Sequence, residues 1–411
     1  MTRKQHFITI LILGALSTIS PFSIDMYLPA FPSIAENLHA PMAQIQLSLT
    51  SYFIGISSGQ LLYGPLLDRF GRKLPLYFGL AVYVLASVGC VFVQNAEALI
   101  GLRFVQALGG CVSLVASRAL VRDLFPVSET ARVFSLLLLV LAVSPMLAPT
   151  VGGYVTAAFG WHTIFIILAA IGVFILLACV FYLPEGRKPD PSISLKPVPV
   201  LNNFFSVLKQ PQFFTYALTS AIASSVIYAY IAGSPDVFMN VYRVNERVYG
   251  WIFALIAVAI IGSNQVNRML LKRWKSEPLI VAGLLWQTAI GAVLVLGTIY
   301  NWFHLYTLIA TLFLFMCGQG FTISNASALS LAPFGRLAGS ASAMLGALQL
   351  GVGSIASALV SVFHNGTALP MIIAITACVV LSGILLKVSL HFTRKEPDEE
   401  ELEEESARPV I

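Results

Sequence analysis

Twelve apolar runs, each about as long as one membrane crossing, divide the sequence: 7–28, 45–67, 74–93, 98–121, 132–155, 162–183, 211–232, 249–270, 278–299, 304–330, 338–362 and 369–392. Hydrocarbon offers the backbone no hydrogen-bond partner, so a run of about 20 such residues must close its own bonds as a helix. The sequence therefore predicts an all-α membrane protein with twelve transmembrane helices. Charge agrees: 10% of the 411 residues are charged, against about 25% in soluble domains. An even number of spans places both termini on one side. Cations crowd the loops of that side, as at Arg69, Arg72 and Lys73, at Arg187 and Lys188, and at Lys272, Arg273 and Lys275. The opposite loops hold only Arg243 and Arg247. Lysine and arginine accumulate inside, so both termini are expected in the cytoplasm. The net charge of +5 then belongs to orientation, and no nucleic-acid partner is expected.

One connection divides the runs. Residues 184–210 carry Pro184, Pro189, Pro191, Pro197 and Pro199 with four cations. They read as a cytoplasmic linker with a short surface helix near its end. Six spans lie on each side, in 1–183 and 211–392. The basic loop after the second span is echoed after the eighth, as in transporters built from two parallel repeats. The tail, 393–411, holds an acidic block at 396–405, which reads as solvated and disordered.

Catalytic chemistry is hard to place. The five cysteines fall singly in apolar runs, and the six histidines lie in loops or near span ends. There is no H-E-x-x-H helix and no Walker A sequence. The chain is expected not to be an enzyme and to need no cofactor or metal.

The sharpest break in the first half is Gly64-Pro65-Leu66-Leu67-Asp68-Arg69-Phe70-Gly71-Arg72-Lys73. Its pattern, G-x-x-x-D-R-x-G-R-K, resembles the loop signature of the major facilitator superfamily of secondary transporters. The resemblance implies the two-bundle fold of that family and a gating role for Gly64, Asp68, Arg69, Gly71, Arg72 and Lys73. In it, Asp68 faces the start of a helix in the other half, near Arg336 to Ser340, and Arg72 braces it. The segments Asp25-Met26-Tyr27-Leu28-Pro29-Ala30-Phe31-Pro32 and Ser117-Arg118-Ala119-Leu120-Val121-Arg122-Asp123-Leu124-Phe125 resemble the Bcr/CflA drug-resistance branch of the drug:proton antiporters. Ser144-Pro145-Met146-Leu147-Ala148-Pro149-Thr150-Val151-Gly152-Gly153 resembles the antiporter signature at Pro149, Gly152 and Gly153, with Ser144 and Ala148 where glycines are usual.

Asp25 is the only acid inside the first span, and an ionisable group in a membrane is a functional candidate by default. Arg103, in the fourth span, is the second, in an R-x-x-Q pattern with Ala107 where the family has glycine. At 1.5 Å per residue, Asp25 lies about 27 Å up the first span and Arg103 about 8 Å down the fourth, so both fall in the outer half. Their pairing is allowed by depth, whereas their lateral proximity is only implied by the resemblance. The resemblance makes them the proton-coupling pair. Tyr27, Gln60, Arg118, Tyr228, Tyr230, Gln319 and Asn325 are candidate cavity residues, with interhelical hydrogen bonding as the plainer alternative.

The expectation is a multidrug exporter in the bacterial cytoplasmic membrane. It would move small amphipathic, bicyclomycin- or chloramphenicol-like drugs against protons, as a monomer in the lipid bilayer. The alternatives are a facilitator of the same fold carrying a metabolite and a non-transporting membrane sensor.

Overall fold

The structure, a computed structural model, describes residues 3–192, 205–334 and 338–406. Helix α1 (Arg3–Asp25) passes through a 3-10 turn (Leu28–Ala30) into the short α2 (Phe31–Asn37). Pro29 and Pro32 at these helix starts lack only donors that would go unused there. Then follow α3 (Met42–Arg69), α4 (Lys73–Val91), α5 (Ala96–Leu124), α6 (Val127–Phe159) and α7 (His162–Tyr182). Beyond the linker come α8 (Pro211–Pro235), a π-helical turn (Asp236–Val241), α9 (Glu246–Leu270) and α10 (Ser276–Ile299). The chain closes with α11 (Leu305–Met316), α12 (Gln319–Leu331), α13 (Ala338–Val362) and α14 (Leu369–Ser406).

Among the described residues, eleven helices are long and apolar enough to cross a membrane, counting α11 and α12 as one. The expected twelfth is α3, which has the length, 28 residues, but carries more polar side chains. Several of those side chains have partners inside the protein. Ser51 donates to the Ile100 carbonyl of α5 at 2.8 Å, and Ser57 to the Ala347 carbonyl of α13 at 2.9 Å. Thr50 meets Ser357 at 2.7 Å. A helix wedged between neighbours needs less apolar surface than one facing lipid.

The ten-residue break read at Gly64–Lys73 is shorter than expected. Gly64, Pro65, Asp68 and Arg69 remain on α3, and only residues 70–72 leave the helix. Gly71 makes that turn at φ +80°, a conformation costly for any residue with a Cβ. The acidic block also departs from expectation, because α14 continues to Ser406. Glutamate and leucine are strong helix formers and prolong a helix already begun. The span read at 304–330 is broken at Cys317 and Gly318, where the Gln287 side chain crowds Gly318. At the linker's end, residues 205–208 are helical, and Val207 is buried against Phe213 and Ala217 of α8 and Ala341 of α13.

Helices α1–α7 pack on one another, as do α8–α14; α3 on α13 and α6 on α9 make the main contacts across the seam. One end of the bundle carries the Asp68–Lys73 turn and is called the basic end here. The other is the opposite end.

Candidate functional site

Asn95 starts α5 by accepting a hydrogen bond from the Ala98 amide at 2.8 Å, a strong helix-start signal. Two turns on, the helix delivers Arg103, which is completely buried. Its Nη1 donates to Gln106 Oε1 at 2.6 Å, and Gln106 Nε2 donates to Ser87 Oγ at 2.7 Å. Its Nη2 donates to the Ser23 carbonyl of α1 at 2.9 Å. The guanidinium lies 4.5 Å from the Tyr27 ring centroid and 4.2 Å from that of Tyr52. Each such contact contributes about 2 kcal/mol when desolvated. The tyrosines are themselves held, Tyr27 by Ser48 at 2.8 Å.

Asp25 ends α1 two residues beyond Ser23. It is 4% exposed and forms no hydrogen bond or ion pair among the described residues. Arg103 therefore grips the backbone of α1 beside Asp25 and makes no ion pair with its carboxylate. The electrostatic neighbour of Asp25 across the seam is Tyr249 of α9, whose hydroxyl meets Ser234 at 2.9 Å. The R-x-x-Q spacing pointed to Gln106 as a helix neighbour of Arg103, but no local pattern announces Tyr52.

Helix α6 lies between these elements and runs unbroken through Pro145 and Pro149. A Cβ on Gly152 would stand 2.2 Å from the Met26 carbonyl oxygen, and one on Gly153 2.3 Å from that of Glu246. Asn245 caps α9 through the Val248 amide at 2.9 Å and so sets Gly250 against Thr150, whose hydroxyl donates to the Gly250 carbonyl at 3.3 Å. Backbone touches backbone here, and the two halves are closed on each other at the opposite end.

At the basic end, Arg72 holds two carboxylates. Its Nη1 lies 2.7 Å from Asp68 and its Nε 2.7 Å from Asp123 at the end of α5. The first residues after α7 lie over this pair. The Arg187 amide donates to Asp123 at 3.1 Å, and the Asp190 amide to the Asp68 carbonyl at 3.3 Å. Lys73 reaches Glu185 at 3.4 Å. Hydrogen bonds from the Ser192 hydroxyl and amide hold the Asp190 carboxyl below the usual range. Arg69 stands 5.9 Å from the Phe70 ring. The helix start expected to face Asp68 falls partly at 335–337, outside the described residues. A Cβ on Gly64 would meet nothing within 4 Å.

Substitutions in this network are expected to affect stability and transport differently. Arg72→Ala leaves Asp123, only 16% exposed at its side chain, without its cation and is expected to cost about 2 kcal/mol. Asp68→Asn, at a carboxylate 42% exposed, is expected to cost under about 1 kcal/mol while still lowering transport. Thermal unfolding in detergent beside vesicle transport checks both; a Tm loss for Asp68→Asn equal to that for Arg72→Ala contradicts the separation.

Between the halves lies a cavity of about 290 Å³ lined by Gln60, Arg118, Tyr228, Ser342 and Gln349, with leucines completing its wall. It sits in the basic half of the seam: Arg118 is six residues from the end of α5 and Ser342 four from the start of α13. The Tyr228 ring stacks edge-on against Phe53 at 4.9 Å. Of the residues singled out in the sequence, Gln60, Arg118 and Tyr228 are brought together here. Tyr27 belongs to the Arg103 cage. Tyr230 is buried against Phe253 at 5.6 Å, its hydroxyl unpartnered. Asn325 exchanges hydrogen bonds with Asn267 at 2.9 and 3.4 Å, and Gln319 is buried at the helix break with its amide unpartnered.

Sequence reading also passed over Asp236. It is 3% exposed and meets His364 at 2.8 Å and Asn240 at 2.8 Å. An acid directly after an apolar run was the available signal, and its partner lies 128 residues away.

This arrangement has known counterparts. Residues 13–358 match the model of the Major Facilitator Superfamily. The chain is 35% identical over 373 residues to the uncharacterized MFS-type transporter YdgK of Bacillus subtilis, covering 90% of this chain and 92% of the relative. It is 32% identical over 380 residues to the bicyclomycin resistance protein homolog of Haemophilus influenzae, covering 92% and 95%. The solved D-xylose-proton symporter shares the fold with a TM-score of 0.73 at 14% identity, covering 92% of this chain and 97% of the other. On the match to its family model and to these relatives, the chain belongs to the Major Facilitator Superfamily.

Proposed function

We propose that this chain exports small amphipathic, bicyclomycin- or chloramphenicol-like drugs from the bacterial cytoplasm in exchange for protons. Family membership makes it a transporter and not an enzyme. The relative named for bicyclomycin resistance supports a drug as cargo. The basic end is assigned to the cytoplasm on its arginines and lysines, so both termini face the cytoplasm from the inner membrane. The working division is a bundle of 1–183, a linker of 184–210, a bundle of 211–392 and a tail of 393–411, acting as a monomer in lipid.

The observation that carries the reading is the pairing of a closed gate with an unpartnered acid. Asp25 is buried without a counter-ion next to the backbone contacts of Gly152 and Gly153. A seam sealed around an unpaired carboxyl suits its neutral, proton-carrying form, since an isolated ionised carboxylate is far costlier to bury. The cavity lies between the same halves on the cytoplasmic side, ready to receive drug. Arg103 positions the Asp25 end of α1 through the Ser23 carbonyl. Proton release and drug entry then take place in the inward-open state. Reopening of the outer seam discharges the drug and returns Asp25 to external protons. Differential affinity of the proton for the two states is what moves the equilibrium.

Inverted membrane vesicles test the reading. An imposed proton gradient is expected to drive accumulation of chloramphenicol, and a protonophore to abolish it. Accumulation that ignores the protonophore removes proton exchange, and no accumulation of any drug in a susceptibility-matched panel removes export.

A further inference from the structure

The cavity between the halves has a charge of one sign only. Arg118 of α5 is exposed within it and forms no ion pair or hydrogen bond among the described residues. Its electrostatic neighbours are Cys111 and Arg122, with no acid among them. The remaining polar wall, Gln60, Tyr228, Ser342 and Gln349, is neutral. Among the described residues no acid lines the cavity; Asp68 and Asp123 are held by Arg72, Glu185 by Lys73, Asp236 by His364 and Glu277 by Tyr216. Asp25 lies at the opposite end of the seam. An exposed guanidinium with no acid beside it, bordering open volume, attracts anions.

We infer that the cavity selects anionic amphiphiles, small weak acids whose carboxylate, sulfonate or deprotonated sulfonamide meets Arg118 while an apolar body lies on the leucine wall, and that it disfavours lipophilic cations. The inference rests on the export reading and goes beyond it: the drugs named there are neutral, and the charge in the cavity adds a preference for acids of similar size. Guanidinium presents a planar fork of donors that matches a carboxylate or sulfonate in two parallel hydrogen bonds. In a partly desolvated cavity the same charge repels a cation with comparable strength, so one residue both attracts and rejects. Leu114, Leu345 and Leu350 supply the apolar side. The Gln349 amide nitrogen is already committed to Ser220 and Ser327, at 2.9 and 3.2 Å, which leaves its carbonyl oxygen to accept from a ligand hydroxyl or amide. An inside-negative membrane potential favours outward movement of an anion, so such cargo adds to the drive supplied by the proton.

Binding to the purified full chain in nanodiscs tests this, with fluorescein as the anionic probe, ethidium as the cationic probe and chloramphenicol as the neutral one. The parent is expected to bind fluorescein about tenfold or more tightly than ethidium. Arg118→Gln is expected to lower the ratio of anion to neutral affinity about tenfold, and Arg118→Lys to restore most of it, since lysine keeps the charge but lacks the fork. Arg118 makes no polar contact whose loss would unfold the chain, and the charge-keeping lysine variant controls for folding. Equal affinities of the parent for fluorescein and ethidium overturn the inference. So does an Arg118→Gln effect of equal size on fluorescein and chloramphenicol. Gradient-driven export is measured separately in proteoliposomes. Selective fluorescein binding without export keeps the anion assignment and removes the export reading. Ethidium export unaltered by Arg118→Gln removes the anion assignment alone.

Discussion

Asp25→Asn is expected to remove most gradient-driven export and to leave drug binding in place. Asparagine has nearly the shape of the neutral acid, so the packing of the α1 end against Met26, Gly152 and Tyr249 survives. What is lost is a carboxyl that combines deep burial with the absence of a counter-ion. The variant fits the sealed state permanently, as the protonated carboxyl does, and has no ionised form to favour reopening. Accumulation in inverted vesicles is expected to fall by about tenfold or more, since an intramembrane acid carries the proton path. Two measurements decide the matter. Drug-induced proton release from detergent-solubilised protein should be present in the parent and absent in the variant. Equilibrium binding of a neutral drug should agree between them within about twofold, because uncoupling removes no contact to a neutral ligand. Equal proton release from both proteins takes Asp25 out of the coupling step.

Gly153→Ala is expected to be nearly as damaging for a purely steric reason. The new Cβ would stand 2.3 Å from the Glu246 carbonyl oxygen and 3.3 Å from the Arg247 Cα. Both are backbone atoms at the start of a capped helix, so neither can rotate aside. The halves must separate by more than an ångström at the outer seam, or the closed state must bear the overlap, which typically costs about 1–3 kcal/mol. The equilibrium shifts toward the open outer seam, and transport at equal membrane abundance is expected to fall about tenfold. In right-side-out cells, a Thr150→Cys reporter should react faster with a membrane-impermeant maleimide when Gly153→Ala is present. Gly262→Ala is the control, because a Cβ there meets nothing within 4 Å. Unchanged maleimide reactivity together with unchanged transport would show that the α6–α9 contact is not the outer closure.

Both predictions depend on contacts that local pattern does not contain. Some spans were legible almost residue for residue, as with 74–93 against Lys73–Val91 and 162–183 against His162–Tyr182, whereas 132–155 falls four or five residues short of Val127–Phe159 at each end. Asp25 and Arg103 were legible as candidates because a charge in an apolar run stands out against its neighbours. The Arg72 network was half legible: Asp68 lies one turn before Arg72, but Asp123 is 51 residues away in the chain. The linker's lie across that pair was not legible, since its backbone amides carry no side-chain signature.

Depth along the membrane normal is written in the sequence, because each residue advances a helix by a fixed rise and apolar length must match the hydrocarbon. That alone set the approximate number of long helices and the level of each ionisable group along them. Lateral arrangement is different. In lipid no hydrophobic gradient sorts one helix face from another, and association depends on close packing and on a few interhelical hydrogen bonds. Only the tertiary structure therefore decided that Arg103 would lie against Tyr27, Tyr52 and the Ser23 carbonyl and leave Asp25 without an ion pair. It likewise decided that Gln60, Arg118, Tyr228 and Gln349, from four separate helices, would share one cavity.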